Sequence, residues 1–351
     1  MKKITKKNKI ILSSIALALI VIAIVISVIL LNKNKKNPLN NTSKKDDNQS
    51  VEVKKVKIVN EDSTSRPFAV MINNISVARP LQSGLQDAYL MYEIIVEGGI
   101  SRYLALFIDQ STERIGSIRS ARHYFLDYAL ENDAIYVHHG QSPQAQSDFS
   151  KLGIERVVVD NSKTGWRDTS LNVSSEHTLF TSIEKLNKGT NKFRKERNKN
   201  YLLNYSAEDI DTSKFEGSSV AKNVSVKYSS YRTSNYVYDE TTKTYLRSMN
   251  DTKNIDLVTG KQYTVKNIIV YSVKYSNYTH HGYSAYVKTD NVGTGEGYYI
   301  SNGYSIPITW TKPSKNERTV YKIKSTGEEL VVNDGNTYIQ IYPTSGKLTM
   351  E

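Results

Sequence analysis

Residues 10–31 form an unbroken run of 22 residues with no charge and only three serines. As a helix rising about 1.5 Å per residue, the run reaches about 33 Å, against about 30 Å for a bilayer's hydrocarbon core. A cleaved secretory signal has an apolar stretch of about 7–15 residues ending at small residues. This run passes straight into Asn32-Lys33-Asn34-Lys35-Lys36. It reads as one uncleaved N-terminal transmembrane helix. Lys2, Lys3, Lys6, Lys7 and Lys9 precede it, and three lysines follow closely. That bias places residues 1–9 in the cytoplasm and the rest outside, in contact with the bilayer through residues 10–31.

The anchor also accounts for most of the charge. The formal net charge is +12, but residues 1–63 hold 13 lysines and five acids, a net of +8. The remaining 288 residues carry only 12 − 8 = +4. No arginine-rich helix or basic-aromatic stripe is present, which argues against a nucleic-acid partner. The chain has no cysteine. Disulfide scaffolds, thiolate metal sites, cysteine nucleophiles and a lipid-modified cysteine are thereby excluded.

Residues 32–63 are polar and read as a flexible tether. Residues 64–212 read as a mixed α/β domain. It has strand-like runs at 68–72, 88–96, 103–108, 134–137 and 156–159. Helical spacing appears at 121–130, from Pro143 to about Leu152, and at 177–186. Residues 213–351 have a different texture: 19 of the 25 tyrosines lie after residue 200. Ten short strand-like runs follow one another between turn residues, as in an all-β sandwich or barrel. The expected fold class is thus α+β, followed by a mainly-β, sandwich- or barrel-like C-terminal domain.

The stretches RPFAVMINN (66–74), YEIIVEGGISRYLALF (92–107) and IGSIRSARHYFLDYALENDAIYVHHGQSPQA (115–145) resemble the YerB-like envelope protein family, a two-part domain of unknown function. GTGEGYYISNGYSIPITWTK (293–312) and NDGNTYIQIYP (333–343) resemble its C-terminal part. The resemblance implies a two-domain envelope protein of Gram-positive-type bacteria, with no established activity. Members of that family commonly carry a lipobox cysteine, and here the apolar span stands in its place.

Three polar groups carry candidate chemistry. If Gly98-Gly99 is a two-residue hairpin turn, Glu93, Glu97 and Arg102 share one sheet face. The two acids are then candidate acid/base groups, or else a structural ion pair with a spare carboxylate. Gly116-Ser117-Ile118-Arg119-Ser120-Ala121-Arg122 precedes a helix pattern. Its hydroxyls Ser117 and Ser120 and its guanidiniums Arg119 and Arg122 suit an anion. The plainer reading is that Ser120 caps the helix and the arginines pair with Glu93 or Glu97. In His138-His139-Gly140-Gln141-Ser142 a strand gives way to a helix. His139 would face a cleft with Gln141 and Ser142, and His138 would face away. Arg167, in Trp166-Arg167-Asp168, is either a further anion clamp or part of a surface ion pair, and Trp166 either a sugar platform or a buried indole. No metal-ligand spacing or cofactor motif occurs.

These features favour a binding or accessory protein of the cell envelope. It would recognise a wall polymer, a phosphate-linked or glycan-like ligand, or an envelope partner. Two other classes stay open. One is a hydrolase or transferase acting on wall polymer, with Glu93, Glu97 or His139 catalytic. The other is a structural scaffold.

Overall fold

The structure, a computed structural model, describes residues 54–199 and 202–351. The expected transmembrane helix at 10–31, the basic head and most of the tether lie outside the described residues. No described helix is long and apolar enough to cross a membrane.

The described fold is mainly β, with three α-helices. Its largest sheet has eleven strands among the described residues. Nine of them are β1 (Phe68–Ile72), β2 (Leu90–Ile95), β3 (Ser101–Phe107), β4 (Ile135–His138), β5 (Arg156–Val158), β6 (Asn267–Val273), β7 (Gly293–Ser301), β8 (Tyr304–Lys312) and β9 (Thr337–Pro343). They run in the order β8-β7-β6-β9-β2-β3-β1-β4-β5, with Ser219–Val220 and Val320–Ile323 paired along β8.

The tyrosine-rich half is β-rich where its sequence says it should be. It does not, however, close a sandwich or barrel by itself, because β6 to β9 continue the sheet that β1 to β5 begin. The reason lies in β9, which is buried at six of its seven positions. A strand buried on both faces pairs on both edges. β9 therefore pairs β6 on one side and β2 on the other, both parallel. A second sheet holds Asn223–Ser229, Arg232–Asp239, Thr244–Met249, Thr252–Lys253, Thr264–Val265 and Lys347–Met350. Its main strands alternate buried with less buried residues, as a sheet with one wet face does.

The main sheet is covered on both sides, so all five residues of β1 are buried. Ala69 and Met71 join Ile94, Leu104, Tyr124, Phe125 and Phe149 in one layer. This layer includes side chains of helices α1 (His123–Glu131) and α2 (Pro143–Lys151). Phe68, Val70 and Ile72 join Met91, Tyr103, Val226, Tyr236 and Tyr245 in the other, under the six-stranded sheet. The 177–186 stretch is not the single helix its spacing suggests. Leu179–Thr181 is a strand pairing with Trp166–Arg167 and Ile115–Gly116, and helix α3 (Ile183–Gly189) follows. The break falls at Ser182, whose hydroxyl caps α3 by accepting the Lys185 N–H at 3.2 Å.

Helix α1 is fastened by buried acids. Glu131 accepts from the Tyr92 hydroxyl at 2.6 Å, from Lys312 Nζ at 2.6 Å and from the Thr319 hydroxyl at 2.8 Å. One turn earlier, burial lifts the Asp127 carboxyl from 3.8 to about 6, although Asn291 Nδ2–H donates to it at 3.0 Å. A folded pKa above the unfolded one leaves stability whole below the unfolded value and lost as pH rises through the folded one. Asp127→Asn is therefore expected to raise stability by about 1–3 kcal/mol at about pH 8, and to give no gain at about pH 3.5. Paired thermal melts at those two pH values check it.

Candidate functional site

The β2–β3 turn is one residue longer than its glycine pair suggests. Ile94 faces Arg102, Ile95 faces Ser101, and the Val96 N–H donates to the Ile100 carbonyl at 2.7 Å. Glu97-Gly98-Gly99 makes the turn, with φ of 70° at Gly98 and 66° at Gly99, a left-handed conformation that favours glycine. A one-residue change of register exchanges the faces of a strand. The expected shared face of Glu93, Glu97 and Arg102 therefore does not form. Glu93 lies with Ser101 and Tyr103 toward the six-stranded sheet, whereas Arg102 lies with Leu104 on the α1 side.

Glu93 has no spare oxygen. It is 1% exposed and accepts from Arg247 Nη2 at 2.9 Å, the Ser101 hydroxyl at 2.6 Å and the Ser234 hydroxyl at 3.0 Å. Its role here is a buried ion pair across the two halves of the sequence. Arg247 was legible in one respect. Tyr245, Arg247 and Met249 occupy the buried positions of an alternating strand.

The other candidates gather at the carboxyl ends of the parallel strands β1 and β4, where ligands bind in many α/β sheets. Segment 115–122 lies across those ends. The Arg119 N–H donates to the Met71 carbonyl at 2.9 Å, the His139 N–H to the Arg119 carbonyl at 3.1 Å, and the Ala121 N–H to the Gly140 carbonyl at 3.0 Å. Gly140 permits this closeness: its φ is 73°, and a Cβ there would meet the Ser120 hydroxyl at 2.9 Å. Arg119, Ser120, Arg122, His139 and Gly140 are thus held on one ribbon, with Arg102 beneath it.

Arg102 is the unusual member. It is 6% exposed, and its Nη1 donates to the Ser120 carbonyl at 2.6 Å. Its Nε has no partner, and no described carboxylate lies within ion-pair distance. Burial first, and then the neighbouring charge of Arg122, lower its pKa to about 9. The other guanidiniums are shared out. Arg122 Nε holds both Glu97 oxygens at 2.7 and 2.8 Å, and Arg119 Nη2 holds Glu176 at 2.5 Å. Arg167 bonds the Ser175 carbonyl and reaches His139 Nε2 at 3.4 Å. His139 Nδ1 sits 2.8 Å from the Val159 carbonyl, so it carries the proton and Nε2 accepts.

His139 is exposed and His138 buried, as their alternation implies. Burial lowers the His138 pKa to about 4. Ser120 does not cap α1: the capping position is Arg122, with no side-chain bond. Ser117 is fully buried and its hydroxyl has no partner. Gln141 points outward to Gln146, and Ser142 caps α2 by accepting the Ala145 N–H at 3.3 Å. Trp166 is half-buried beside Phe180.

One wall of the site was not foreseen. The hairpin of Tyr275–His280 and Tyr283–Thr289 brings Tyr278 to 5.9 Å from the His123 ring, with Tyr286 stacked behind it at 5.5 Å. Burial first, and then the Glu97 charge, raise the Tyr275 and Tyr278 phenols. Tyr278 thus reaches the site through His123, the residue after Arg122.

The chain belongs to the family described as protein of unknown function DUF3048, whose N-terminal domain matches residues 56–197 and whose C-terminal domain matches residues 224–339. A relative is YerB of Bacillus subtilis (strain 168), named as a candidate lipoprotein. It is 31% identical over 286 residues, covering 79% of this chain and 81% of the relative. The crystal structure of YerB protein from Bacillus subtilis is similar too, with a TM-score of 0.69 at 28% identity, covering 81% of this chain and 94% of that one.

Proposed function

We propose that this chain is a membrane-anchored, extracytoplasmic envelope protein. It binds an anionic, glycan-like or phosphate-linked ligand at the arginine cluster over the ends of β1 and β4. Residues 10–31 serve as the anchor and the 32–63 segment as the tether. The observation that carries the binding reading is Arg102, a buried guanidinium with no described carboxylate partner, next to Arg119 and Arg122, with Arg167 beside His139. A buried cation is costly unless paired, and an incoming oxyanion would pair it. The tyrosines at 278 and 286 give a face on which a sugar ring stacks.

The test is equilibrium binding of the full chain, in detergent, to fragments of anionic wall polymer. Saturable binding that weakens with added salt is expected. Absence of binding to both phosphate-bearing and carboxylate-bearing fragments sinks the reading. Glu97→Gln is expected to tighten binding roughly fivefold, about 1 kcal/mol, because Arg122 loses its internal partner. If Glu97 were instead a catalytic base, the wild type would turn over such a fragment and Glu97→Gln would not.

A further inference from the structure

On the opposite face of the main sheet, three arginines from separate elements lie close to one another. Arg79 comes from the short turn of helix Arg79–Leu81, Arg232 opens the strand Arg232–Asp239, and Arg247 lies in Thr244–Met249. Only Arg247 has a carboxylate, Glu93 at 2.9 Å. Arg79 Nη1 and Arg232 Nη1 both aim at the Met249 sulfur, at 3.1 and 2.9 Å. Asn74 Nδ2 lies 3.7 Å from the same atom but already donates to the Ser101 hydroxyl at 2.9 Å. A thioether is a weak acceptor. Two guanidinium N–H donors therefore converge on an atom that satisfies neither of them well.

The cluster also carries excess charge. Three guanidiniums surround one carboxylate, a local balance of 3 − 1 = +2. Arg232 is 5% exposed and its Nε has no partner. Neither Arg79 nor Arg232 makes an ion pair among the described residues. Burial first, and then Arg232, hold the Arg79 pKa below its ordinary value. Arg79 is half-buried and lines a cleft of about 350 Å³ with Ser76, Pro80, Lys253 and Leu257. Asp256 lines it as well, but its oxygens already accept from Gly84, Val258, Thr259 and Tyr263. Lys253, at the mouth, offsets the charge of Asp256.

We infer that this cluster is a second oxyanion site, for a phosphate or carboxylate group. The group enters past Arg79, moves the Met249 side chain aside and is held by Arg79 and Arg232. Methionine suits the position because it is unbranched and adaptable, so it fills the space without opposing an incoming group. The site shares no residue with the Arg102 cluster and does not depend on it.

The test uses the full chain in detergent, labelled at its methionine methyl groups. Only five methionines are present, so the signals separate, and Met249→Leu identifies one of them. Sodium phosphate and sodium acetate are titrated in turn at constant ionic strength. A saturable shift of the Met249 methyl is expected with at least one, while Met71 and Met91 stay in place. Which anion acts identifies the source, a phosphate-bearing or a carboxylate-bearing ligand. Arg79→Gln is expected to weaken binding roughly tenfold or more. Without anion, the same variant is expected to melt at or above the wild-type temperature, since it removes like-charge repulsion. The proposal is overturned by an unmoved or non-saturating Met249 signal with both anions. An unchanged affinity in Arg79→Gln overturns it too. So does a drop in that variant's melting temperature without anion, since it marks the arginine as structural.

Discussion

Glu93→Gln is expected to destabilise the folded chain by about 3–5 kcal/mol, the usual cost of removing one partner from a buried ion pair. Glu93 and Arg247 are 1% and 2% exposed at their side chains, so neither recovers water when the other is lost. The substitution leaves Arg247 without a counter-charge, and its Nε already has no partner. The amide also brings hydrogens where Ser101 and Ser234 now donate to a carboxylate oxygen at 2.6 and 3.0 Å. Arg79 and Arg232 then face an uncompensated third cation. Chemical denaturation of wild type and variant measures the difference. The paired change Glu93→Gln with Arg247→Met is expected to restore most of the loss, because no buried charge is left unpaired. A single variant within 1 kcal/mol of wild type would show the pair to be dispensable.

Arg102→Met is expected to behave in the opposite way. Arg102 has no described ion-pair partner and lies beside Arg122, so removing its charge relieves both burial and repulsion. The methionine fills part of the space of the arginine stem and loses one bond, to the Ser120 carbonyl. Stability should stay near that of the wild type. Ligand affinity should fall by roughly 10- to 150-fold, the equivalent of one charge-assisted hydrogen bond of about 1.5–3 kcal/mol. Melts and titrations on the same preparation separate the two effects. A large loss of stability with binding intact would make Arg102 a structural residue and withdraw the site.

The strand positions were legible because they rest on local patterns. The buried run at 68–72 and the alternation in 244–249 each need only their neighbours in sequence to be read. The stretch at 177–186 failed because its helical spacing competes with sheet pairing. Phe180 bonds to strands at Gly116 and Trp166, which no local window contains.

The candidate site was legible as a ribbon but not as an electrostatic arrangement. Residues 115–122 and 138–142 were picked out for their residue types, and backbone hydrogen bonds do bring them together. Which arginine is left without a carboxylate depends on where the acids are. Glu176 reaches Arg119 from 57 positions away, and Glu93 reaches Arg247 from 154. Both distances lie far beyond any spacing rule.

The amino-acid sequence by itself determined the apolar segment, the change of texture near residue 213, the family resemblance and most strand positions. Each of these is a property of composition or of short-range periodicity. Tertiary structure decided the sheet that joins the two halves through β2 and β9. It also decided the one-residue difference in the 97–99 turn, and with it the separation of Glu93 from Arg102. Finally, it decided which buried cations are left without a carboxylate. The physical reason is the same in each case. Pairing and burial are settled by partners distant along the chain, and a sheet with period two turns the smallest change of register into a change of face.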